Sequence, residues 1–341
     1  MNAPTPRPKT LPRPKRARPA APLVSLVAPV FNESEALPTF LDAMIPALTA
    51  TGERFEIVFV NDGSRDDTLG VLLAAAAMDS RLRIVNLARN FGKEAALTAG
   101  IDHAKGDAII VIDVDLQDPP ELIADFLAQW REGYDVVYGV RVARDFDAFW
   151  KRFTAHGFYG VFNVIAETPI PPNAGDFRLI DRRVADALQK MPERNRFMKG
   201  LFAWVGFSSI GVPYERRERA AGLTKFRFGK LWNFALDGIA SFSTMPLKVW
   251  TYIGIAVAVV AIWLAAYIIV RTMVYGVETP GYASLMVAIL LAAAVQLISI
   301  GVLGEYVGRI FLESKARPIY IVDDVYGGEE EEQPPQRSEQ S

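Results

Sequence analysis

Along the first two thirds of the chain, short apolar runs alternate with longer stretches of helical periodicity. The runs at 23–30, 56–60, 82–87, 108–112 and 135–140 are rich in Val and Ile, and each stops at a polar turn. The stretches between them, 36–50, 68–78, 93–105 and 121–132, read as helices. This alternation predicts an α/β fold: a mostly parallel sheet covered by helices. Ligands of such sheets bind beyond the carboxyl ends of the strands. The polar residues just after each run are therefore where chemistry is expected.

The pattern then changes. Residues 249–270 and 283–304 are each free of charge over 22 positions. At ~1.5 Å per residue, each run reaches ~33 Å, enough for a bilayer core. Trp250, Tyr252 and Tyr267 lie near the ends of the first run, where interfacial aromatics belong. Two transmembrane helices are predicted. Lys225, Arg227, Lys230 and Lys248 precede the first, and Arg309, Lys315 and Arg317 follow the second. The connecting loop has only Arg271 as a cation, so both termini are expected on the cytoplasmic side. Residues 228–246 are apolar but interrupted by Lys230, Asn233 and Asp237, which suits an interfacial helix.

Composition narrows the chemistry. Cysteine is absent, which excludes disulfides, thiolate nucleophiles and zinc knuckles. His103 and His156 are the only histidines, so a His-rich metal site is excluded too. A bound metal would need oxygen ligands, which favours Mg²⁺ or Mn²⁺. The net charge of −2 gives no sign of a nucleic-acid partner. It is an average over opposed ends. Six cations and seven prolines fill residues 1–22, expected to be a disordered basic arm. From about Asp323 the chain turns acidic, and a disordered acidic tail is expected there.

The strand ends carry the candidate chemistry. Asp113 and Asp115 follow the fourth apolar run, and an i, i+2 pair of carboxylates points to one face if the chain stays extended. A hard divalent ion bridging to a diphosphate needs one or two such groups. Asp62 ends the second run within Asn61-Asp62-Gly63-Ser64, and Glu33 follows the first within Ala28-Pro29-Val30-Phe31-Asn32-Glu33. Asp66 and Asp67 read equally well as caps of the next helix.

These segments, with Asn90-Phe91-Gly92-Lys93 and Asp113-Val114-Asp115-Leu116-Gln117-Asp118-Pro119-Pro120-Glu121, resemble family 2 glycosyltransferases of the GT-A fold. Gly175-Asp176-Phe177-Arg178-Leu179, Arg194-Asn195-Arg196-Phe197-Met198-Lys199-Gly200 and Glu218-Arg219-Ala220-Ala221-Gly222-Leu223-Thr224-Lys225 narrow the resemblance. They are similar to the bacterial membrane-anchored polyprenyl-phosphate glycosyltransferases. The resemblance covers roughly residues 24–325. It implies a nucleotide-diphospho-sugar transferase domain at 23–227, interfacial helices at 228–248 and two spans within 249–304. A cytoplasmic segment at 305–325 and the acidic tail at 326–341 complete the chain.

The resemblance also implies roles. Asp115 is the principal metal ligand, helped by Gln117 and Asp113, with Mg²⁺ or Mn²⁺ as cofactor. Pro29, Phe31, Glu33, Asp62, Lys93 and Asp113 line the nucleotide-sugar site. Arg141 and Arg152 are candidates for the phosphate of the lipid acceptor, since an arginine fork suits phosphate. Asp176 is a catalytic-site carboxylate that orients the sugar, stabilises charge at the anomeric carbon, or acts as base. Arg196, Lys199 and Lys225 either hold phosphates or face anionic lipid. Asp118 stands where some relatives have histidine or asparagine.

The expected reaction moves a sugar from UDP-glucose to undecaprenyl phosphate with inversion, at the bacterial inner membrane. UDP-galacturonic acid, UDP-N-acetylglucosamine, a formamido-arabinose nucleotide and GDP-mannose stay open as donors. Relatives of this kind form tetramers, and residues 319–325 are available as an exchanged edge strand. A processive polysaccharide synthase fits less well, since the Gln-x-x-Arg-Trp segment of such enzymes is missing. A non-catalytic membrane scaffold would not need Asp113, Asp115, Asp176 and Arg141 together.

Overall fold

The computed structural model describes residues 17–141, residues 174–215 apart from Pro192 and Asn195, scattered positions between 254 and 275, and residues 281–328. Two compact units emerge. One holds Met1–His156, Ile170–Lys225 and Pro318–Ser341, and the other holds Gly157–Pro169 and Phe226–Arg317.

The first unit is built on an eight-stranded sheet. Its strands are β1 (Leu23–Val30), β2 (Arg54–Asn61), β3 (Leu82–Leu87), β4 (Ala108–Val111), β5 (Val136–Arg141), β6 (Ala174–Asp181), β7 (Ser209–Tyr214) and β8 (Val322–Gly327). The spatial order is β7-β5-β6-β4-β1-β2-β3-β8. Strands β4, β1, β2 and β3 run parallel, as the alternating pattern predicts. Helices α1 (Leu37–Ala50), α2 (Thr68–Met78), α3 (Lys93–His103) and α4 (Leu122–Arg131) connect or follow them. Helix α4 shows why: Leu122, Ile123, Phe126, Leu127 and Trp130 recur on one face, and all five are buried. Phe126 meets Phe177 of β6 with ring centroids 4.6 Å apart. Each large side chain withdrawn from water in this way contributes about 1.5–3 kcal/mol.

The antiparallel part of the sheet was not visible in the apolar pattern. Strand β6 runs against both β4 and β5, and α5 (Arg182–Gln189) and α6 (Met198–Trp204) follow it. Strand β8 pairs antiparallel with β3. Asp323 and Asp324, expected in an acidic tail, therefore lie in a strand. Asn86 donates to Asp323 at 3.3 Å, in line with Asn61 donating to Asn86 at 2.8 Å. The segment expected as an exchanged strand pairs here with a strand of its own chain.

Within the segment expected as a basic arm, Arg18 is anchored. Its guanidinium donates to the Trp130 carbonyl at 3.0 Å, the Tyr134 carbonyl at 2.8 Å and Asp135 at 3.3 Å, and it pairs with Asp181. Its Cζ lies 4.9 Å from the centre of the Trp130 ring, and the side chain is only 6% exposed.

In the second unit, α7 (Tyr282–Ser314) runs for 33 residues and contains the second charge-free run. Counted over the described residues alone, no helix is long and apolar enough to cross a membrane. The predicted interfacial helix at 228–248 lies outside the described residues, and only scattered helical positions of the first run lie within them.

Candidate active site

The site lies where the carboxyl ends of β1, β2, β3 and β4 meet the start of α3 and the antiparallel strand β6. Its construction begins with Asp62, which is 3% exposed. One carboxylate oxygen accepts from the Phe91 amide at 2.7 Å and the other from the Gly92 amide at 2.9 Å. Burial raises the Asp62 carboxyl above its ordinary pKa, although these two bonds oppose that shift. Gly63 allows the two loops to touch. At φ +63° it sits 2.5 Å, measured from an added Cβ, from the Arg89 and Asn90 backbone. The result is a fixed turn that starts α3 at Lys93.

Lys93 bridges two acids. Its Nζ donates to Asp113 at 2.7 Å and to Asp176 at 2.9 Å. The other oxygen of Asp176 pairs with Lys199 Nζ at 3.0 Å. Four charges of alternating sign thus run Asp113, Lys93, Asp176, Lys199. Partial desolvation works against the charge on Lys93, but Asp113 and Asp176 outweigh it and push its pKa up. Desolvation would raise the Asp176 carboxyl, but the two ammonium groups outweigh it and hold the acid well below the usual carboxylate range. Lys93, Glu94, Asp176, Arg178, Met198 and Lys199 are among the residues lining an open cleft.

The turn after β4 presents Asp115 and Gln117. Asp115 accepts from the Gln117 amide at 3.2 Å. Between them Leu116 adopts φ +52°, a left-handed conformation that a branched side chain rarely takes. Gln117 Oε1 is buried and has no hydrogen-bond partner among the described residues. A buried acceptor without a donor costs about 1–3 kcal/mol, so it marks a place for a ligand.

The remaining candidates divide. Pro29 lies at the end of β1 and is half-buried, and Phe31 just beyond it is 41% exposed. The Glu33 backbone amide donates to Thr68 at 2.9 Å. Arg141 ends β5, in register with Tyr214 of β7. Arg152 and Lys225 lie outside the described residues. Arg196 was expected as a phosphate or lipid contact. It is 9% exposed and donates to the carbonyls of Leu188, Met191 and Glu193 at 3.3, 2.8 and 3.2 Å. Its fork serves carbonyls at the end of α5, a common task for a cation there.

Three site residues were not singled out from sequence. Arg178 is 5% exposed and donates to the Gly175 carbonyl at 2.9 Å, under the backbone of Asp176. Burial lowers its pKa to about 10, against the pull of Asp176 and Glu94. Its Cζ lies 4.1 Å from the centre of the Phe202 ring. Glu94 accepts from the Met198 amide at 3.2 Å and ties α3 to α6. Tyr214 donates its phenol proton to buried Asp118. Arg178 stood inside the Gly175–Leu179 segment, so its signal was present. Glu94 and Tyr214 gave none, since both act across the fold.

A largely parallel sheet with acids, lysines and an orphaned acceptor gathered at its strand ends is the GT-A arrangement of a glycosyltransferase. The glycosyl transferase family 2 model matches residues 25–189, and a second model, the GtrB C-terminal hairpin, matches residues 245–310. An uncharacterized glycosyltransferase of Synechocystis sp. is 52% identical over 304 residues, 89% of this chain and 96% of that protein. The bactoprenol glucosyl transferase of Shigella phage SfV is 50% identical over 299 residues, 88% of this chain and 97% of that one. The prophage bactoprenol glucosyl transferase homolog of Escherichia coli K12 is 50% identical over 302 residues, 89% and 99% of the two chains. Among solved structures, the mannosyltransferase of Pyrobaculum calidifontis in complex with GDP-Man and Mn²⁺ is similar at a TM-score of 0.47 and 18% identity, over 89% of this chain and 90% of that one. The chain belongs to glycosyl transferase family 2.

Proposed function

We propose that this enzyme transfers glucose from UDP-glucose to undecaprenyl phosphate on the cytoplasmic face of a bacterial inner membrane. The observation that carries this reading is the Asp113–Lys93–Asp176–Lys199 chain of charges beside Asp115. Full-length relatives named bactoprenol glucosyl transferases at 50% identity support the lipid acceptor and the sugar. The two 22-residue charge-free runs, with the hairpin match at 245–310, support two membrane spans with both termini cytoplasmic.

Asp115 and Gln117 fit a divalent ion. Both offer oxygen, as Mg²⁺ and Mn²⁺ prefer. Among the described residues no group of three acids or histidines could hold a metal unaided. Two protein oxygens suit an ion that shares its ligands with a diphosphate. When bound, such an ion neutralises the leaving nucleoside diphosphate. Asp113 was expected to help as a ligand, but here it faces Lys93.

The chain's own residues then bind and position. Lys93 and Lys199 bring two ammonium groups to the cleft as point charges for phosphate oxygens. Asp176 holds both lysines and stays ionised, so it is a poor proton acceptor near neutral pH. Its role is electrostatic and orienting. No base is needed, because the acceptor monophosphate is already ionised. A phosphate oxygen attacks the anomeric carbon, the bond to the diphosphate breaks on the opposite face, and UDP leaves with the electron pair. Attack from the opposite face inverts the α-linked donor to a β-linked lipid-phosphate sugar.

The test is turnover of the full chain in detergent. UDP release should require UDP-glucose, undecaprenyl phosphate and Mg²⁺ or Mn²⁺ together. Release that ignores the lipid would sink the acceptor assignment, and a panel of nucleotide sugars would decide the donor.

A further inference from the structure

We infer that Tyr214 and Asp118 form a positioning couple that holds the Asp115–Gln117 turn against the acceptor strand β5. The inference rests on the donor and metal reading above and assigns roles to two residues outside the ligand set proposed there.

Three independent observations meet here. First, the Asp115–Gln117 turn is strained, because Leu116 sits at φ +52°. Such a backbone is disfavoured for a side chain like leucine and persists only where neighbours hold it. Second, the residue that closes the turn, Asp118, is 3% exposed and accepts the phenol proton of Tyr214, itself 6% exposed. A buried hydrogen bond of this kind is an effective local restraint on a loop. Third, Tyr214 reaches Asp118 by lying across β5 at a glycine. A Cβ added at Gly139 would come within 2.7 Å of Tyr214 Cε1, so Gly139 is what admits the ring. Two residues further on, Arg141 stands in register with Tyr214 itself.

One side chain therefore touches the loop that offers Asp115 and Gln117, and its strand partner is the arginine proposed for the acceptor phosphate. The couple sets the height of the donor loop relative to the acceptor strand. The orphaned Gln117 Oε1 is the atom with most to lose, since it is aimed by the backbone between Leu116 and Asp118.

The experiment titrates UDP with Mn²⁺ into the full chain in detergent and follows binding by calorimetry, without turnover. Wild type, Tyr214→Phe, Asp118→Asn and Gly139→Ala are compared, with the thermal midpoint of each metal-free protein measured alongside. Tyr214→Phe should weaken UDP–Mn²⁺ binding on the order of tenfold, as loss of a buried hydrogen bond allows. Gly139→Ala should weaken it too, by displacing the ring. Asp118→Asn keeps an acceptor for the phenol and should retain most of the affinity. Tyr214→Phe with wild-type affinity would overturn the couple, even if its midpoint fell, since the bond would then be structural only. Asp118→Asn as weak as Tyr214→Phe would overturn it as well, because the charge and not the phenol bond would be at work. A wild type that binds no UDP–Mn²⁺ would instead refute the donor reading on which the couple rests.

Discussion

Removing the ammonium between Asp113 and Asp176 should expose how strongly these acids repel. In Lys93→Met the bridge is lost while both carboxylates remain. The Lys93 contacts of 2.7 and 2.9 Å put the two oxygens at most about 5.6 Å apart, so two unit charges repel by roughly 3 kcal/mol at an effective dielectric of about 20. The side chains are 31% and 32% exposed, and solvent screening reduces that figure to about 1–2 kcal/mol. Lys199 still neutralises part of Asp176, which favours the lower end. For a unit of this size the loss corresponds to a fall in Tm of roughly 2–8 °C. Differential scanning fluorimetry of the detergent-solubilised chain would measure it. Ionic strength near 1 M shortens the Debye length to about 3 Å and should recover much of the loss. Lys93→Met with Asp113→Asn removes the repulsion and should recover stability at low salt. A Lys93→Met protein as stable as wild type at low salt would refute the reasoning. So would a deficit that neither salt nor the second substitution reduces.

Asp115→Asn and Gln117→Ala should each lose most turnover and metal-dependent UDP binding while the thermal midpoint of the metal-free protein stays near wild type; full activity in either would remove that residue from the metal site. For pH, Asp176 has a folded pKa depressed below its unfolded value. Its stability contribution is therefore present above the unfolded pKa of about 3.9 and is lost as pH falls below that. Turnover between pH 5 and 8 should accordingly show no limb from Asp176, and any acid limb should follow the acceptor phosphate near pH ~6; a limb that moves when the acceptor is unchanged and Lys199→Ala is introduced would contradict this. Arg18→Ala leaves buried Asp181 and Asp135 with Arg183 as remaining cation, and should cost about 2–3 kcal/mol in stability with kcat unchanged at low temperature. Arg196→Ala should likewise lower the midpoint without raising KM for either substrate, whereas a selective KM effect would return Arg196 to the phosphate site.

The parallel half of the sheet was legible in the chain because its strands are local and nearly all apolar. Strands β1 and β3 begin and end where the Val- and Ile-rich runs do, and α2 matches its stretch to the residue. The Asp-x-Asp turn was legible too, since an apolar strand that stops in acids announces a strand end. Strands β6, β7 and β8 were not. Their residues are mixed in polarity, and they are held by partners far away in sequence, such as β8 against β3. Arg196 and Lys199 looked alike as cations near one another, three residues apart. The fold buries the first among carbonyls and places the second on Asp176.

The sequence by itself determined the five apolar strands and the helices between them, which strand ends carry acids, and that any metal must be held by oxygen. Local periodicity and residue type suffice for those. Only the tertiary structure decided how the charges are spent. Asp62 gives both oxygens to a turn, Lys93 joins an acid just beyond β4 to one in β6, and Asp118 answers a tyrosine from β7. Such pairings join residues 20 to 96 positions apart. Chain closure over that distance depends on the packing of the whole sheet, which no local pattern encodes.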